Sequence, residues 1–324
     1  VSIRKAIQLN PDIAEAHYNL GNILVHLAKF KEAEVSIRKA IQLNPDIAEA
    51  HYSLGIILQK LGKLKEARVS TRKAIQLNPE LAIAHSNLGN ILKDLGKLKE
   101  AEVSTRQAIQ LNPELAIAHS NLGNILTDLG KLKEAEVSTR QAIKLNPELA
   151  VAHSNLGGIL QELGKLQKAE VHIRKAIKLD PELAVAYFSL SNLKLANKNR
   201  TWRDQLFSNN LLKNKSKKDQ INIYFARANI LHKESNFKES SKYLESANNL
   251  KKNLNPNNIQ YLLNKSKQLL IESNKESINE NDHTNFPCSI FIVGMPRSGS
   301  TLLESILSMN NNVNDLGEKN IFEE

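Results

Sequence analysis

Proline recurs at Pro11, Pro45, Pro79, Pro113, Pro147 and Pro181, always 34 residues apart, and this period constrains the fold more than any other feature of the chain. Glycine keeps the same beat at Gly21, Gly55, Gly89, Gly123 and Gly157 until Ser191 interrupts it. A second register, Leu-Gly-Lys-Leu-Lys-Glu-Ala, fills residues 61–67, 95–101 and 129–135, with variants at 27–33 and 163–169. A fixed period of this length means one small unit copied along the chain. Such units stack on their neighbours into an extended array rather than closing into one globule.

The physics of each unit is legible. Asn44-Pro45 reads as a helix N-cap followed by proline at the first helical position, where its missing N–H costs nothing. Ala50, Leu54 and Leu58, at i, i+4 and i+8, lay an apolar stripe along a first helix, A. Gly62 suits the turn, and Ala67, Ile75 and Leu77 mark a second helix, B. The small residues Gly55 and Ala67 let the two helices approach closely. One pair cannot bury its own apolar face, so the pairs must stack. This pattern resembles the tetratricopeptide family over residues 1–195, with Leu20, Gly21, Ala33, Ala40 and Pro45 at the family's positions. His17 stands where the family often has tryptophan. The resemblance implies a mainly α fold, a right-handed superhelix of helix pairs.

Composition narrows the partners. Hydrophobic residues make up 41% of the 324 and charged residues 24%, so a buried core is expected and bulk disorder is not. A net charge of +10 raises nucleic acid and anionic membranes. Lysine and arginine, however, recur once per unit, at Arg38/Lys39, Arg72/Lys73 and Arg174/Lys175, as a solvated helix face requires. Aromatics are only 5%, which leaves few platforms for stacking bases and argues against nucleic acid. No apolar run reaches the roughly 18 residues of a membrane span. The single cysteine, Cys288, forms no intrachain disulfide and suits a reducing compartment, which points to the cytoplasm. Because residue 1 lies inside a unit, further repeats are expected to precede it.

Two periodic polar features stand out. Histidine holds one place in five units: His17, His51, His85, His119 and His153. Stacked helices lie about 8–10 Å apart, whereas zinc holds its nitrogens at about 2.0–2.1 Å. One histidine per unit is therefore spaced for packing, and no metal is expected. Two residues later come Asn19, Asn87, Asn121 and Asn155, with Ser53 and Ser189 replacing the pattern. Asn22, Asn90 and Asn124 lie three residues further along the same face. In tetratricopeptide superhelices this face lines the inner groove. An amide carries both donor and acceptor, so it can pair with a peptide group. The stripe resembles the asparagine ladder of the O-linked N-acetylglucosamine transferase superhelix, which holds a substrate's backbone. These seven asparagines are the candidates for binding an extended peptide or protein acceptor; a hydrated groove is the alternative.

From about Ser191 asparagine and lysine rise, as at 197–199 and 213–218, and the proline period stops. Residues 196–286 read as a divergent helical region and linker. A decayed helix pair is expected over 223–250, where Asn236-Phe237-Lys238-Glu239 echoes the turn and Tyr243, Leu244 and Ala247 echo helix B. Residues 251–285 read as another helix and a polar linker.

At Pro287 the period changes again. Ser289-Ile290-Phe291-Ile292-Val293 is a short β-branched run that reads as a buried strand. Gly294-Met295-Pro296-Arg297-Ser298-Gly299-Ser300-Thr301 follows, and residues 302–308 have helical character. Strand, glycine-containing loop and helix together aim backbone N–H groups and a positive helix end at an anion. The spacing matches a nucleotide P-loop except that Ser300 occupies the lysine position. Losing that lysine counts against an ordinary kinase or NTPase, and Arg297 offers a different cation.

Here the chain resembles the sulfotransferase family, specifically its tyrosylprotein and tetratricopeptide-fused members. Their first strand leads into Pro-Arg-Ser-Gly-Thr/Ser-Thr-Leu, the loop that holds the 5′-phosphosulfate of the donor PAPS (3′-phosphoadenosine 5′-phosphosulfate). Pro296, Arg297, Ser298, Gly299, Ser300, Thr301 and Leu302 fit that motif, and Gly317-Glu318 fits the Gly-Glu the family places some twenty residues later. The resemblance implies that Glu318 takes the acceptor hydroxyl's proton. It also implies that the loop amides, Arg297, Ser300 and Thr301 neutralise the donor's phosphate and the developing sulfuryl charge. It covers only residues 287–324, the first strand-loop-helix of an α/β P-loop-like domain, without the further strands and 3′-phosphate site the family needs. A fragment of a longer enzyme, inactive alone, is expected. The resulting reading is a PAPS-dependent sulfotransferase acting on a hydroxyl, with protein tyrosine ahead of a glycan as acceptor. The alternative is a non-catalytic tetratricopeptide scaffold.

Overall fold

The computed structural model describes residues 2–193, 201–213 and 215–254. The chain divides into two units, residues 1–260 and 261–324, and every described residue belongs to the first. Among the described residues there are fifteen α-helices, one 3-10 turn at Asn209–Leu212 and no strand. After α1 (Ser2–Leu9) come five complete A–B pairs. They are α2 (Ala14–His26) with α3 (Phe30–Leu43), α4 (Ala48–Lys60) with α5 (Leu64–Leu77), and α6 (Ala82–Asp94) with α7 (Leu98–Leu111). The last two are α8 (Ala116–Asp128) with α9 (Leu132–Leu145), and α10 (Ala150–Glu162) with α11 (Leu166–Leu179). A sixth A helix, α12 (Ala184–Asn192), is followed by the short α13 (Thr201–Phe207). Then α14 (Lys217–Lys233) packs on α12 and pairs with α15 (Phe237–Leu254), so helices form where the decayed pair was expected.

The turns follow from their residues. Helix A ends in a left-handed residue, Gly62 at φ 77° and Gly96 at φ 76°, a conformation open to glycine at no steric cost. The Lys63 N–H then returns to the Leu58 carbonyl at 2.8 Å, and the Gly62 N–H to Gln59 at 3.0 Å, which satisfies the helix's last acceptors. The other turn corrects the sequence reading. Asn44 does not cap helix A; it ends α3, and α4 starts at Ala48 behind Ile47, which supplies no side-chain cap. Asn44 Oδ1 accepts instead from the Asp46 N–H at 3.1 Å, and Asn78, Asn112 and Asn146 repeat that bond. Asparagine's short side chain reaches the backbone two residues on, and this Asx turn competes with capping.

Within a pair, Gly123 lies so close to Thr139 that a Cβ there would collide with its hydroxyl, and it would also press on the Ala135 carbonyl. Between pairs one isoleucine acts as the knob. Ile91 packs with Leu54 and Leu58, Ile125 with Leu88 and Leu92, and Ile159 with Leu122 and Leu126. At the far end, buried Arg227 donates to the Leu206 and Ser208 carbonyls at 2.9 Å each and lies over the Phe207 and Tyr243 rings. Lys233 Nζ donates to the carbonyls of Ser191 and Leu193, at 2.6 and 2.7 Å, where α12 ends. These two cations close the end of the stack where the repeat sequence has decayed.

Successive B helices are tied by ion pairs. Glu136 accepts from Arg140 at 2.7 Å on its own helix and from Lys165 at 2.9 Å on the next unit. Glu34 with Arg38 and Lys63, and Glu102 with Arg106 and Lys131, repeat the arrangement. Hydrogen bonds from Lys165 and then Arg140 hold the Glu136 carboxyl below its ordinary range. In the unfolded chain the same carboxyl takes its proton at a higher pH. Its contribution is therefore complete above the ordinary glutamate range and is lost as pH falls through the folded value. The melting temperature is accordingly expected to drop between pH 7 and pH 3. Part of that drop should be reproduced at pH 7 by about 1 M NaCl, which screens exposed pairs. Equal melting curves in all three conditions would show that the ties add nothing.

Candidate functional site

The histidines hold each unit's entry turn. Nε2–H of His17, His51, His85, His119 and His153 donates to the carbonyl of the proline six residues earlier, at 2.9 to 3.0 Å. In the sixth unit the phenol of Tyr187 makes the same bond to Pro181 at 3.0 Å. A carbonyl only accepts, so the histidine proton sits on Nε2. This clamp fixes the start of helix A relative to the turn, and with it the direction of the polar stripe that follows.

Successive A helices pack on one another, whereas successive B helices make no comparable contact. A stack packed more tightly on one side curves toward that side, so the A helices line the inner surface.

On that surface the asparagines divide into two sets. Asn121, nine-tenths buried, donates from Nδ2 to Ser86 Oγ at 2.9 Å, and Asn155 donates to Ser120 Oγ at 3.1 Å. Each bond runs to the preceding A helix. Asn87 has Tyr52 rather than serine 35 residues back, and its Nδ2 is buried without a partner. Asn22 is engaged from the other side, accepting at Oδ1 from Ser53 Oγ at 3.2 Å. Asn229 of α14 extends the ladder to Ser191 at 3.2 Å. Asn90 and Asn124 are half-buried and make no side-chain hydrogen bond among the described residues; Asn19 is exposed. The stripe is thus partly a tie between units and partly open amide.

Sequence reasoning missed two features. The serines that pair with Asn121 and Asn155 lie one helix away, at a 35-residue offset that marks them as cross-unit partners. A charged row also runs along the A-helix C-termini: Asp94 accepts from Gln59 at 2.9 Å, and Lys93 pairs with Asp128 at 3.6 Å. Lys218, 124 residues further on, reaches the same Asp94 at 3.4 Å. Among the described residues no helix is long and apolar enough to cross a membrane.

The anion-loop residues Pro296, Arg297, Ser298, Gly299, Ser300, Thr301 and Leu302, with Glu318, lie outside the described residues, as does the strand read at 289–293.

A tetratricopeptide repeat model matches five consecutive segments, residues 14–47, 48–81, 82–115, 116–149 and 150–183. A sulfotransferase family model matches residues 287–323. No curated protein matches the chain. Among solved structures, the chain is similar to YrrB, described as a tetratricopeptide protein with an unusual peptide-binding site. Identity is 27%, covering 57% of this chain and 96% of that one, with a TM-score of 0.42. PilW, a widely conserved type IV pilus biogenesis factor, is 20% identical over 61% of this chain and 96% of its own, with a TM-score of 0.51. A thermophilic repeat protein of Thermus thermophilus is 24% identical over 52% and 92%, with a TM-score of 0.49. The likeness to PilW shows the shared fold of stacked helix pairs.

Proposed function

The chain belongs to the tetratricopeptide repeat family, and on that premise we propose that its array presents an extended acceptor to a PAPS-dependent sulfotransferase carried on the same chain. Repeats of this family make the array a protein-interaction scaffold. The observation that carries the finer reading is the segment at 287–323, which matches the sulfotransferase model and holds both the anion loop and Glu318. In the proposed reaction the acceptor oxygen bonds to sulfur as the bond from sulfur to the donor's phosphate oxygen breaks. Glu318 takes the hydroxyl proton, and the bisphosphate leaves with the electron pair. Arg297, Ser300, Thr301 and the loop amides are assigned the neutralisation of the phosphosulfate charge. A phenol, with an ordinary pKa near 10, gains from such a base, and an open-amide groove suits a peptide. Both favour protein tyrosine as acceptor.

Transfer of labelled sulfate from PAPS by the full-length protein, to tyrosine peptides beside sugar acceptors, tests this. Labelled peptide supports the reading. Labelled sugar alone keeps the enzyme and removes the peptide acceptor. No transfer and no PAPS binding leaves the non-catalytic scaffold, a reading favoured by the extent of the array against the short matched segment.

The groove has its own test. Asn90 and Asn124 tie no helices together, so replacing both with alanine should leave the melting temperature in place. Two lost hydrogen bonds at about 0.5–1.5 kcal/mol each should weaken a bound tyrosine peptide by about 5- to 150-fold. Unchanged affinity by fluorescence anisotropy would remove these amides from peptide binding.

A further inference from the structure

The outer face of the array carries an apolar feature that nothing among the described residues covers. Val35, Val69, Val103, Val137 and Val171 each project from a B helix with 65% to 71% of their surface exposed. A β-branched residue on an exposed helix position is less favourable than alanine, lysine or glutamate, and here each valine gains little burial among the described residues.

Beside two of these valines the surface opens into grooves. One lies between α3 and α5, floored by Leu54 and Leu58 of α4 and walled by Ile41 and Val69, with a volume of about 680 Å³. Two units later, α7 and α9 flank a groove of about 710 Å³ floored by Leu122 and Leu126 and walled by Ile109 and Val137. The rims are basic. Arg38, Lys65 and Lys73 border the first groove, and Arg106 and Lys133 the second. The one carboxylate on each rim is already engaged: Glu66 by Arg38 at 2.8 Å, and Glu134 by Arg106 at 3.3 Å. Lys65, Lys73 and Lys133 have no carboxylate partner among the described residues.

We infer that these outer grooves dock an acidic amphipathic helix of a partner protein. A space of this size accepts several leucine-sized side chains but not a whole helix. The partner therefore rides on the valine ridges and inserts one face, with apolar residues at i, i+3/i+4 and i+7. Glutamates and aspartates flanking that face meet the unpaired lysines. A second copy of the chain fits less well. The B helices lie on the outside of the curve, so two such faces touch over little length, and both bring surplus lysine. The site is separate from the inner groove and does not depend on the sulfotransferase reading.

The test uses the complete chain and a fluorescein-labelled synthetic helix with a single leucine face and glutamates elsewhere. Controls are a scrambled peptide of the same composition and sedimentation equilibrium of the protein alone. Anisotropy should show the amphipathic peptide binding and the scrambled one not. Binding should weaken at least tenfold in Val69→Lys/Val137→Lys, whose sites are too exposed to disturb the fold, with unchanged circular dichroism as the check. Lys65→Glu/Lys133→Glu should weaken it as well, and the Asn90/Asn124 variant should not. Equal binding of the scrambled peptide would reduce the effect to bulk charge and overturn the inference. So would indifference to the valine substitutions, or loss in the asparagine variant. A protein dimer dissolved by Val69→Lys/Val137→Lys, with no peptide bound, would assign the surface to a second copy instead.

Discussion

Replacing Ile125 with alanine is expected to lower the unfolding free energy by about 2–5 kcal/mol, the range for emptying a fully buried site of this size. Ile125 is 0% exposed and packs with Leu88 and Leu92, so the cavity opens between two units rather than inside one. Each unit touches chiefly its neighbours, and stability in such a stack is roughly a sum of unit and interface terms. Weakening one interface should therefore do more than lower a midpoint. The urea transition should broaden or split, and amide exchange should accelerate on both sides of α8. A loss below about 1 kcal/mol with a single sharp transition would mean that the neighbouring leucines collapse into the space.

Glu318→Ala, in the full-length protein, is expected to lower sulfuryl transfer by about 10²–10⁴-fold, the usual contribution of a general base. The reasoning rests on chemistry and spacing. A hydroxyl attacking sulfur must lose its proton, and Glu318 is the carboxylate that follows the anion loop at the spacing the sulfotransferase resemblance assigns to the base. A base acts on the chemical step, so PAPS affinity by calorimetry should be unchanged. Loss of PAPS binding together with rate would make Glu318 part of the donor site, and an undiminished rate would remove it from the reaction.

The array was legible because its period is a one-dimensional signal: Pro45, Gly55, Gly62 and Ala67 each mark one local event, and repetition removes ambiguity. The start of helix A was not. Asn44 followed by proline satisfies the sequence rule for a cap and equally that for an Asx turn, and only the backbone geometry separates them. The histidine period announces a packing role, but the partner, a carbonyl six residues back, has no side chain to announce it. Tyr187 at the same place is the available clue, since it keeps a side-chain donor for the Pro181 carbonyl. Along one helix the asparagines form a single stripe. Their division into tied and open sets depends on serines one unit back, which appears only when neighbouring units are laid side by side. Each outer valine is an apolar residue within its helix and looks like core until the neighbouring helices are placed.

The two sides of the array are joined by different materials. Inside, short neutral bonds from Asn121 to Ser86 and from Asn155 to Ser120 span adjacent helices. Outside, long charged arms such as Lys131 to Glu102 and Lys165 to Glu136 bridge a wider gap. Mechanically this is a spring with a stiff inner wire and a compliant, salt-sensitive outer one. Under a pull along its length the outer arms are expected to yield first, and added salt, by screening them, to ease that step.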